Sequence, residues 1–292
     1  MKIQKECIPC LLTRIIFESE QSTKDKKLQE EALKKACTLL AKLYDPNDCS
    51  AVIATKVHKL VYETLGDNDP YKKLKKQSND FAKKLIPKVQ NKLKKSDDPL
   101  KTSMICSIIG NMMDFGIKGA SSKPEKLKHI FDRFLEEGLS HDDYDRLIKT
   151  LDKSKKVCFF TDNCGEIVFD KILCHELKKK FPQLYIILVV KGENILSDAT
   201  LEDALDLGFE EVVDEIITTG CYAVGVDFKK MSENLKKSLD ESDLIICKGM
   251  ANYESFSETD YRPISYLMRV KCSAIANSIG VKKDSNIIKL YD

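Results

Sequence analysis

The chain has 292 residues, and its 48 basic and 46 acidic residues leave a formal net charge of only +2. This balance excludes the strongly basic composition typical of nucleic-acid-binding domains, so no nucleic acid is expected as a partner. Hydrophobic residues make up 42% and charged residues 32% of the chain, as in globular proteins with a large core. Because no apolar stretch approaches the length of a membrane span and residues 1–7 lack an apolar signal core, we predict a cytoplasmic protein with no membrane partner.

Residues 1–150 have mainly helical periodicity. Helices are predicted near residues 10–16, 28–40, 51–65, 100–115 and 131–151. Turns are predicted at residues 45–48 and 67–70, which are rich in Asp, Asn and Pro. We predict that this half is a helical N-terminal subdomain that packs on the remainder of the chain.

The pattern changes near residue 155 to alternating strands and helices. Strands are predicted at residues 156–161, 185–190, 211–216, 244–248 and 270–276. Helices are predicted between them at residues 167–180, 201–207 and 231–239. This alternation predicts a three-layer α/β/α sandwich with a mostly parallel sheet, formed by residues 151–292.

The first polar loop of this half follows the strand at residues 156–161. Asp162 and Asn163 lie where the apolar run ends, and Glu166 begins a helical pattern after a turn containing Gly165. Ligands of open α/β sheets bind at the carboxyl ends of the strands, and a helix N-terminus there favours an anion. Asp162 and Asn163 therefore suit a metal ion held beside an anion, although either residue also suits a helix cap.

A second acidic loop follows the next strand and contains Asp198. If the two strands are neighbours, Asp198 approaches Asp162 and Asn163. Two carboxylates and one amide oxygen form a hard ligand set that suits Mg²⁺ or Mn²⁺ and leaves positions for water and substrate. Asp198 also fits a helix cap, because a helical pattern follows it.

Two later strands bring positive charge. Lys248 lies at the end of one strand as a point charge for a phosphate, and Gly249 permits close backbone approach. Asn252 and Tyr253 can bond a sugar or a phosphate, and Lys271 is a second cation. Together with the acidic loops, these residues indicate metal-assisted phosphoryl chemistry.

Other common site types lack support in the sequence. No GxGxxG follows a strand and no P-loop is present. The four histidines are scattered along the chain, which disfavours a histidine-rich zinc centre. Cys7 and Cys10 form a CxxC that suits zinc binding, redox chemistry or packing at a helix start, and Cys106 can join them in space.

Several ordered motifs resemble the DUF89 family of metal-dependent damage-control phosphatases, also called the ARMT1-like family. They are TDNCGE at 161–166, SDATLEDA at 197–204, KGMANYE at 248–254 and VKC at 270–272. The CIPC start at 7–10 and GNMMDF at 110–115 look like the stand-alone archaeal and bacterial branch. The resemblance spans nearly the whole chain and implies an α/β/α fold with a helical N-terminal part.

The resemblance also implies roles for individual residues. Asp162, Asn163 and Asp198 match the metal ligands of the family, and the metal is Mn²⁺, Mg²⁺, Ni²⁺ or Co²⁺. Ser197 departs from the family's common Asn-Asp pair, which puts a neighbouring contact in doubt. We expect these substrate-binding residues: Asn111, Asp114, Gly249, Met250, Ala251, Asn252, Tyr253, Glu254 and Lys271. For Asn111, the alternative to a role in substrate binding is that it follows a kink at Gly110 as a polar interruption of an apolar helix.

The expected function is hydrolysis of phosphate monoesters of small metabolites, such as sugar phosphates or damaged phosphometabolites. The expected catalytic residues are Asp162, Lys248 and Glu166. Asp162 is either the nucleophile, or a water on the metal attacks, oriented by Glu166 or Asp198; the lack of an Asp-x-Asp pair favours water. The alternatives are a non-catalytic nucleotide- or sugar-phosphate-binding module and a metal-binding interaction protein organised by the CxxC. The motifs do not determine the oligomeric state.

Overall fold

The computed structural model describes residues 1–111, 131–133 and 135–292. The prediction for Asp114 lies outside these residues. Eleven helices are labelled in the described residues: α1 (Cys7–Ser22), α2 (Lys26–Leu43), α3 (Ser50–Leu65), α4 (Lys72–Lys94), α5 (Pro99–Gly110), α6 (Tyr144–Leu151), α7 (Glu166–Lys180), α8 (Leu201–Asp206), α9 (Glu233–Asp240), α10 (Gly249–Phe256) and α11 (Ser273–Ile279). In the described part of the chain, none of the helices has the length and apolar character needed to cross a membrane.

In the described residues, seven strands form a single sheet. They are β1 (His141–Asp142), β2 (Lys156–Phe160), β3 (Tyr185–Val190), β4 (Glu215–Thr218), β5 (Leu244–Lys248), β6 (Ile264–Val270) and β7 (Ser285–Tyr291). Their order is β1-β7-β6-β5-β2-β3-β4, and every neighbouring pair is parallel except β6 and β7. Phe160 at the end of β2 pairs with Val189 of β3 and Cys247 of β5. The loops that leave these three strands therefore begin side by side at one edge.

The sheet lies between two layers of helices because its strand residues alternate between two apolar faces. In β2, Val157 and Phe159 belong to the core shared with α5, α6 and α7. Cys158 and Phe160 belong to the core shared with α9, α10 and α11. Burial of a phenylalanine side chain such as Phe159 or Phe160 contributes about 1.5–3 kcal/mol to the stability of the fold. The predicted three-layer sandwich with a mostly parallel sheet is confirmed.

The first three helices form a separate apolar cluster at the edge of the sandwich. They dock on loops that follow the strands: the Thr55 hydroxyl accepts a hydrogen bond from Val224 N at 2.9 Å, and the Tyr62 hydroxyl accepts one from Leu196 N at 3.1 Å. The carboxyl edge of the sheet is therefore covered by helices rather than open to solvent.

Two predicted strands are wrong in position. Residues 211–216 begin as a 3-10 turn, Phe209–Glu211, and the strand runs from Glu215 to Thr218 because Val212 and Val213 pack into the core at the turn. Residues 270–276 contain only the end of β6, since Ala274, Ile275 and Ala276 form the buried face of α11. The edge strands β1 and β7 were not predicted.

Candidate functional site

The loops that follow β2 and β3 are joined by backbone hydrogen bonds. Asn163 and Asp198 form an antiparallel bridge. Cys164 N donates to Ser197 O at 2.8 Å, and Ala199 N donates to Asp162 O at 2.9 Å. Asp162, Asn163 and Asp198 consequently line one cavity, as the sequence predicts for neighbouring strands.

The Asp162 carboxylate is held from several sides. Its Oδ2 accepts hydrogen bonds from Nδ2 of Asn111 at 2.7 Å and from Nδ2 of Asn163 at 2.5 Å. Gly249 packs against the same carboxylate with a φ of +73°, and a Cβ added there would lie 1.9 Å from Oδ2. Only glycine fits at 249, because a side chain would displace Asp162.

The other two expected metal ligands also have fixed neighbours. Ser197 Oγ donates to Asn163 Oδ1 at 2.7 Å, so the residue that departs from the family pattern orients a ligand amide. Lys191 Nζ lies 3.2 Å from Asp198 Oδ2 and also donates to Gly225 O. Lys191 was not among the predicted site residues, although its position directly after β3 matches that of Lys248 at the end of β5.

These side chains fit a divalent cation in their chemistry. Asp162, Asn163 and Asp198 are 6%, 8% and 3% exposed, and all three residues line the same cavity. Hard oxygen ligands suit Mg²⁺ and Mn²⁺. Within the described residues, no three His, Cys, Asp or Glu side chains are grouped to hold a metal ion. A metal here would therefore need the Asn163 amide oxygen as its third protein ligand.

The site concentrates negative charge. Burial raises the pKa of Asp162 well above its usual range, and the neighbouring carboxylates of Glu166 and Asp198 raise this pKa further. Lys191 and Lys271 oppose the shift with their positive charges. Crowded buried carboxylates are costly unless a cation accompanies them, which is the electrostatic condition for binding a divalent metal.

A second polar group lies behind the cavity, and we call it the buried ion cluster: Ser107, Glu166, Asp170 and Lys248. Lys248 Nζ donates to Glu166, to Asp170 Oδ1 at 2.8 Å and to Ser107 O at 3.3 Å. Lys248, Glu166 and Asp170 are all 0% exposed. Burial raises the pKa of Glu166 to about 7 against the lowering effect of Lys248. Lys248 and Glu166 were both expected at the reacting centre. Neither lines the cavity, because the two side chains form an ion pair with each other behind it.

Asn111 connects the cavity to this cluster. Its Nδ2 donates both to Asp162 Oδ2 and to Glu166 Oε2, the latter at 2.5 Å. Lys271 Nζ donates to Asn111 O at 2.9 Å and to Asn111 Oδ1. Asn111 and Lys271 both line the cavity, where sequence analysis expected them to contact substrate.

The expected substrate loop after β5 is helix α10, and its residues divide between two roles. Met250, Ala251 and Glu254 line the cavity. Asn252 Nδ2 instead donates to Thr161 O at 2.9 Å and to Lys248 O at 2.8 Å, while the Tyr253 hydroxyl bonds Ser278 Oγ at 2.8 Å. Asn252 and Tyr253 therefore hold α10 in place, and they point away from the cavity.

Helices α1 and α3 form the opposite side of the cavity, which we call the helical wall. Its residues on α1 and α3 are Cys7, Cys10, Leu11, Arg14, Ser50, Ala54 and His58. The enclosed volume is about 200 Å³, below the range typical of drug-sized ligands, so a small metabolite fits better than a polymer. Cys106 packs in a different apolar cluster and does not join Cys7 and Cys10.

The fold and this arrangement place the protein in a known class, that of the damage-control phosphatases. The profile of the damage-control phosphatase ARMT1-like domain matches residues 3–287, nearly the whole chain, and the chain belongs to this family. The resemblance carried by the motifs is thereby confirmed.

Individual relatives support the same placement. A damage-control phosphatase of Archaeoglobus fulgidus is 38% identical over 292 residues, and the match covers 100% of both chains. A damage-control phosphatase of Pyrococcus horikoshii is 31% identical over 283 residues, with 97% of this chain and 96% of the relative covered. The crystal structure of a DUF89 family protein from Pyrococcus horikoshii aligns over 100% of both chains with a TM-score of 0.91 and 29% identity.

Proposed function

We propose that the protein is a metal-dependent phosphatase that hydrolyses phosphate monoesters of small metabolites, sugar phosphates among them, in the cytoplasm. One observation carries this proposal. Two carboxylates and one amide, those of Asp162, Asp198 and Asn163, line a cavity of about 200 Å³ that Lys271 also lines. Two carboxylates beside a phosphate repel it unless a cation lies between them, and the lysine supplies further positive charge.

The expected metals are Mn²⁺, Mg²⁺, Ni²⁺ and Co²⁺, held by Asp162, Asn163 and Asp198. When bound, the divalent cation supplies Lewis-acid charge that stabilises phosphate oxygens in the transition state. Asn111 and Gly249 keep the Asp162 carboxylate in one orientation. Asn111 donates to it at 2.7 Å, and Gly249 packs closely against it. Preorganised charge of this kind is often the largest contribution to catalysis.

The protein groups each have a part in the hydrolysis. Lys271 binds a phosphate oxygen from the side of the cavity, and Asn111 positions its ammonium group. A water oxygen attacks phosphorus, the bond to the ester oxygen breaks, and the leaving alkoxide takes up the proton that the attacking water loses. Asp198 orients the attacking water, because it lines the cavity whereas Glu166 is closed off by Lys248. Glu166 and Lys248 act indirectly: Lys248 donates to Glu166, and Glu166 accepts a hydrogen bond from Asn111.

The test is phosphate release from p-nitrophenyl phosphate and a panel of sugar phosphates. Protein stripped with a chelator is measured alone and after Mg²⁺, Mn²⁺, Co²⁺ or Ni²⁺ is added back. Asp198→Asn is compared with Asp203→Asn, a nearby acid that pairs with Lys75 at 2.8 Å and lies outside the cavity lining. We expect metal-restored release that Asp198→Asn lacks and that folded Asp203→Asn retains.

The main competing function is a phosphate-binding module without turnover. It predicts ligand-induced melting shifts with sugar phosphates but no phosphate release with any of the four metals. Folded wild-type protein with that pair of results would contradict the phosphatase proposal. Loss of release on replacing Cys7, with Asp198→Asn unaffected, would instead favour a site organised by the CxxC.

A further inference from the structure

The helical wall contains a histidine, His58, that pairs with a buried acid behind the wall, Glu18, and the proposed hydrolysis uses neither residue. On α3, Ser50, Ala54 and His58 follow one another at intervals of four residues, so all three side chains face the cavity. On α1, Arg14 faces the cavity and Glu18 lies one turn further along the same face. Glu18 and His58 therefore meet where the two helices close the end of the cavity.

Glu18 holds the imidazole in one orientation. His58 Nδ1 lies 2.9 Å from Oε2 and 3.0 Å from Oε1 of Glu18. The two residues are 0% and 2% exposed, and they lie among the aliphatic side chains that join α1, α2 and α3. A carboxylate accepts and cannot donate, so Nδ1 carries the proton in this pair.

The other ring nitrogen is directed to the cavity. His58 lines the cavity, and its Nε2 makes no hydrogen bond to the described residues. In the tautomer of the imidazole that carries its single proton on Nδ1, Nε2 is an acceptor. An acceptor in this place matches a hydroxyl group of the bound molecule and does not match a phosphate oxygen, which also accepts.

A role in stability alone explains the Glu18–His58 pair less well than a role in ligand binding does. A buried carboxylate among aliphatic side chains costs stability unless its partner is well placed, and an apolar pair of similar volume packs at least as well. The geometry also resembles the arrangement in which an acid fixes the tautomer of a functional histidine and leaves the second nitrogen for a ligand. Here the second nitrogen is on the cavity side.

We propose that His58 is a substrate-contacting specificity residue that accepts a hydrogen bond from a hydroxyl on the non-phosphate part of the substrate, and that Glu18 is its positioning residue. This inference rests on the proposed function. It assigns the two ends of the cavity to the two halves of a phosphorylated polyol or sugar: the phosphate lies at Asp162, Asn163 and Lys271, and the hydroxyls lie at the helical wall.

Two substitutions of His58 separate the contact from the packing. An Asn amide occupies the place of Nδ1, so His58→Asn keeps a donor for Glu18 and loses the group at the cavity. A Gln amide reaches the place of Nε2, so His58→Gln keeps a polar group at the cavity and loses the bond to Glu18. The matched substrates are glucose 6-phosphate and cyclohexylmethyl phosphate, which has the same ring size without hydroxyls.

The expected result is selective for both variant and substrate. His58→Asn should raise KM for the sugar phosphate about tenfold, the effect of one lost polar contact, and leave KM for cyclohexylmethyl phosphate and inhibition by inorganic phosphate unchanged. His58→Gln should lower the melting temperature more than His58→Asn does. Its KM for the sugar phosphate should stay below that of His58→Asn. Glu18→Gln should raise KM for the sugar phosphate by an intermediate factor.

Equal KM changes for both substrates, or a His58→Asn protein with wild-type KM for the sugar phosphate, would overturn the inference. Its failure is distinguishable from failure of the phosphatase proposal because binding is measured as well as turnover. If wild-type protein releases no phosphate, melting shifts with glucose 6-phosphate and with inorganic phosphate replace KM. The inference then stands only if His58→Asn reduces the melting shift caused by glucose 6-phosphate and leaves the shift caused by inorganic phosphate unchanged. An equal reduction of both shifts, or no melting shift with either ligand, overturns it.

Discussion

The site has two polar regions of similar composition, and only one of them lines the cavity. The first, the cavity floor, consists of Asp162, Asn163, Asp198 and Lys271. The second is the buried ion cluster of Ser107, Glu166, Asp170 and Lys248 directly behind it. In the cluster, every charge has an opposite charge within the protein, and Lys248, Glu166 and Asp170 are fully buried. On the floor, the charged groups face a cavity.

The difference indicates that charges closed inside the protein support a site, whereas charges that line a cavity can act on a ligand. The cluster stabilises one arrangement because each of its members is costly without the others. On the floor, burial and the neighbouring carboxylates of Glu166 and Asp198 raise the pKa of Asp162, which prepares the site for a cation. Asn111 joins the two regions by donating to both Asp162 and Glu166. Four substitutions test this division.

The largest effect is expected on the floor, from Asp162→Asn. Activity should fall roughly 1000-fold, because the substitution removes a charged metal ligand at the reacting phosphate. The metal-free variant should nevertheless melt at a higher temperature than metal-free wild type, since it no longer buries a charge that Glu166 and Asp198 repel. Calorimetry and phosphate release measure the two quantities. A variant that is both inactive and less stable would place Asp162 with the structural groups.

The next effect is expected in the cluster, from Lys248→Met. Two buried carboxylates lose their cation, so the free energy of unfolding should fall by about 3–5 kcal/mol in urea titrations. Lys283→Met, on an exposed lysine, should change it by less than about 0.5 kcal/mol. The fraction of Lys248→Met that stays folded should bind inorganic phosphate like wild type. Weaker phosphate binding with unchanged stability would mean that Lys248 reaches the substrate.

A backbone substitution tests how closely the floor is held. Gly249→Ala places a methyl group where the Asp162 carboxylate now lies, and activity should fall about 100-fold through misplacement of that ligand. Gly280 has a similar φ of +79° but no atom within 4 Å of an added Cβ. Gly280→Ala therefore shares the backbone strain without the collision, and its kcat should match wild type. Equal kinetic losses in the two variants would assign the effect to strain alone.

The smallest of the four effects is expected for Lys271→Met. Loss of one ammonium group at the cavity should weaken inorganic phosphate binding about tenfold, or about 1.4 kcal/mol. Lys271 donates to the carbonyl oxygens of Asn111 and is only partly buried, so the unfolding free energy should change by less than about 1 kcal/mol. Isothermal titration with phosphate and urea unfolding provide the two values. Lys271→Arg, which keeps the charge, should bind phosphate within threefold of wild type.

The sequence predicted the elements of the site better than its detailed contacts. Asp162, Asn163 and Asp198 were expected to meet because they follow adjacent strands, and they do line one cavity. Lys248 and Lys271 looked alike, since both lie near a strand end, yet only Lys271 faces the cavity. Nothing local distinguishes the two lysines, because their partners lie 82 and 160 residues away in the chain.

Positions with local signals were predictable and positions that depend on packing were not. The alternation of apolar residues determined that the second half is a layered, mostly parallel α/β fold, since strand and helix periods are properties of neighbouring residues. The motifs after the strands determined the family and the floor of the site. Only the tertiary structure decided that Glu166 and Lys248 neutralise each other behind the floor, and that Glu18 and His58 close the far end. These pairings follow from how strands and helices that are distant in the chain pack together, and a single sequence does not encode such distances in any local pattern.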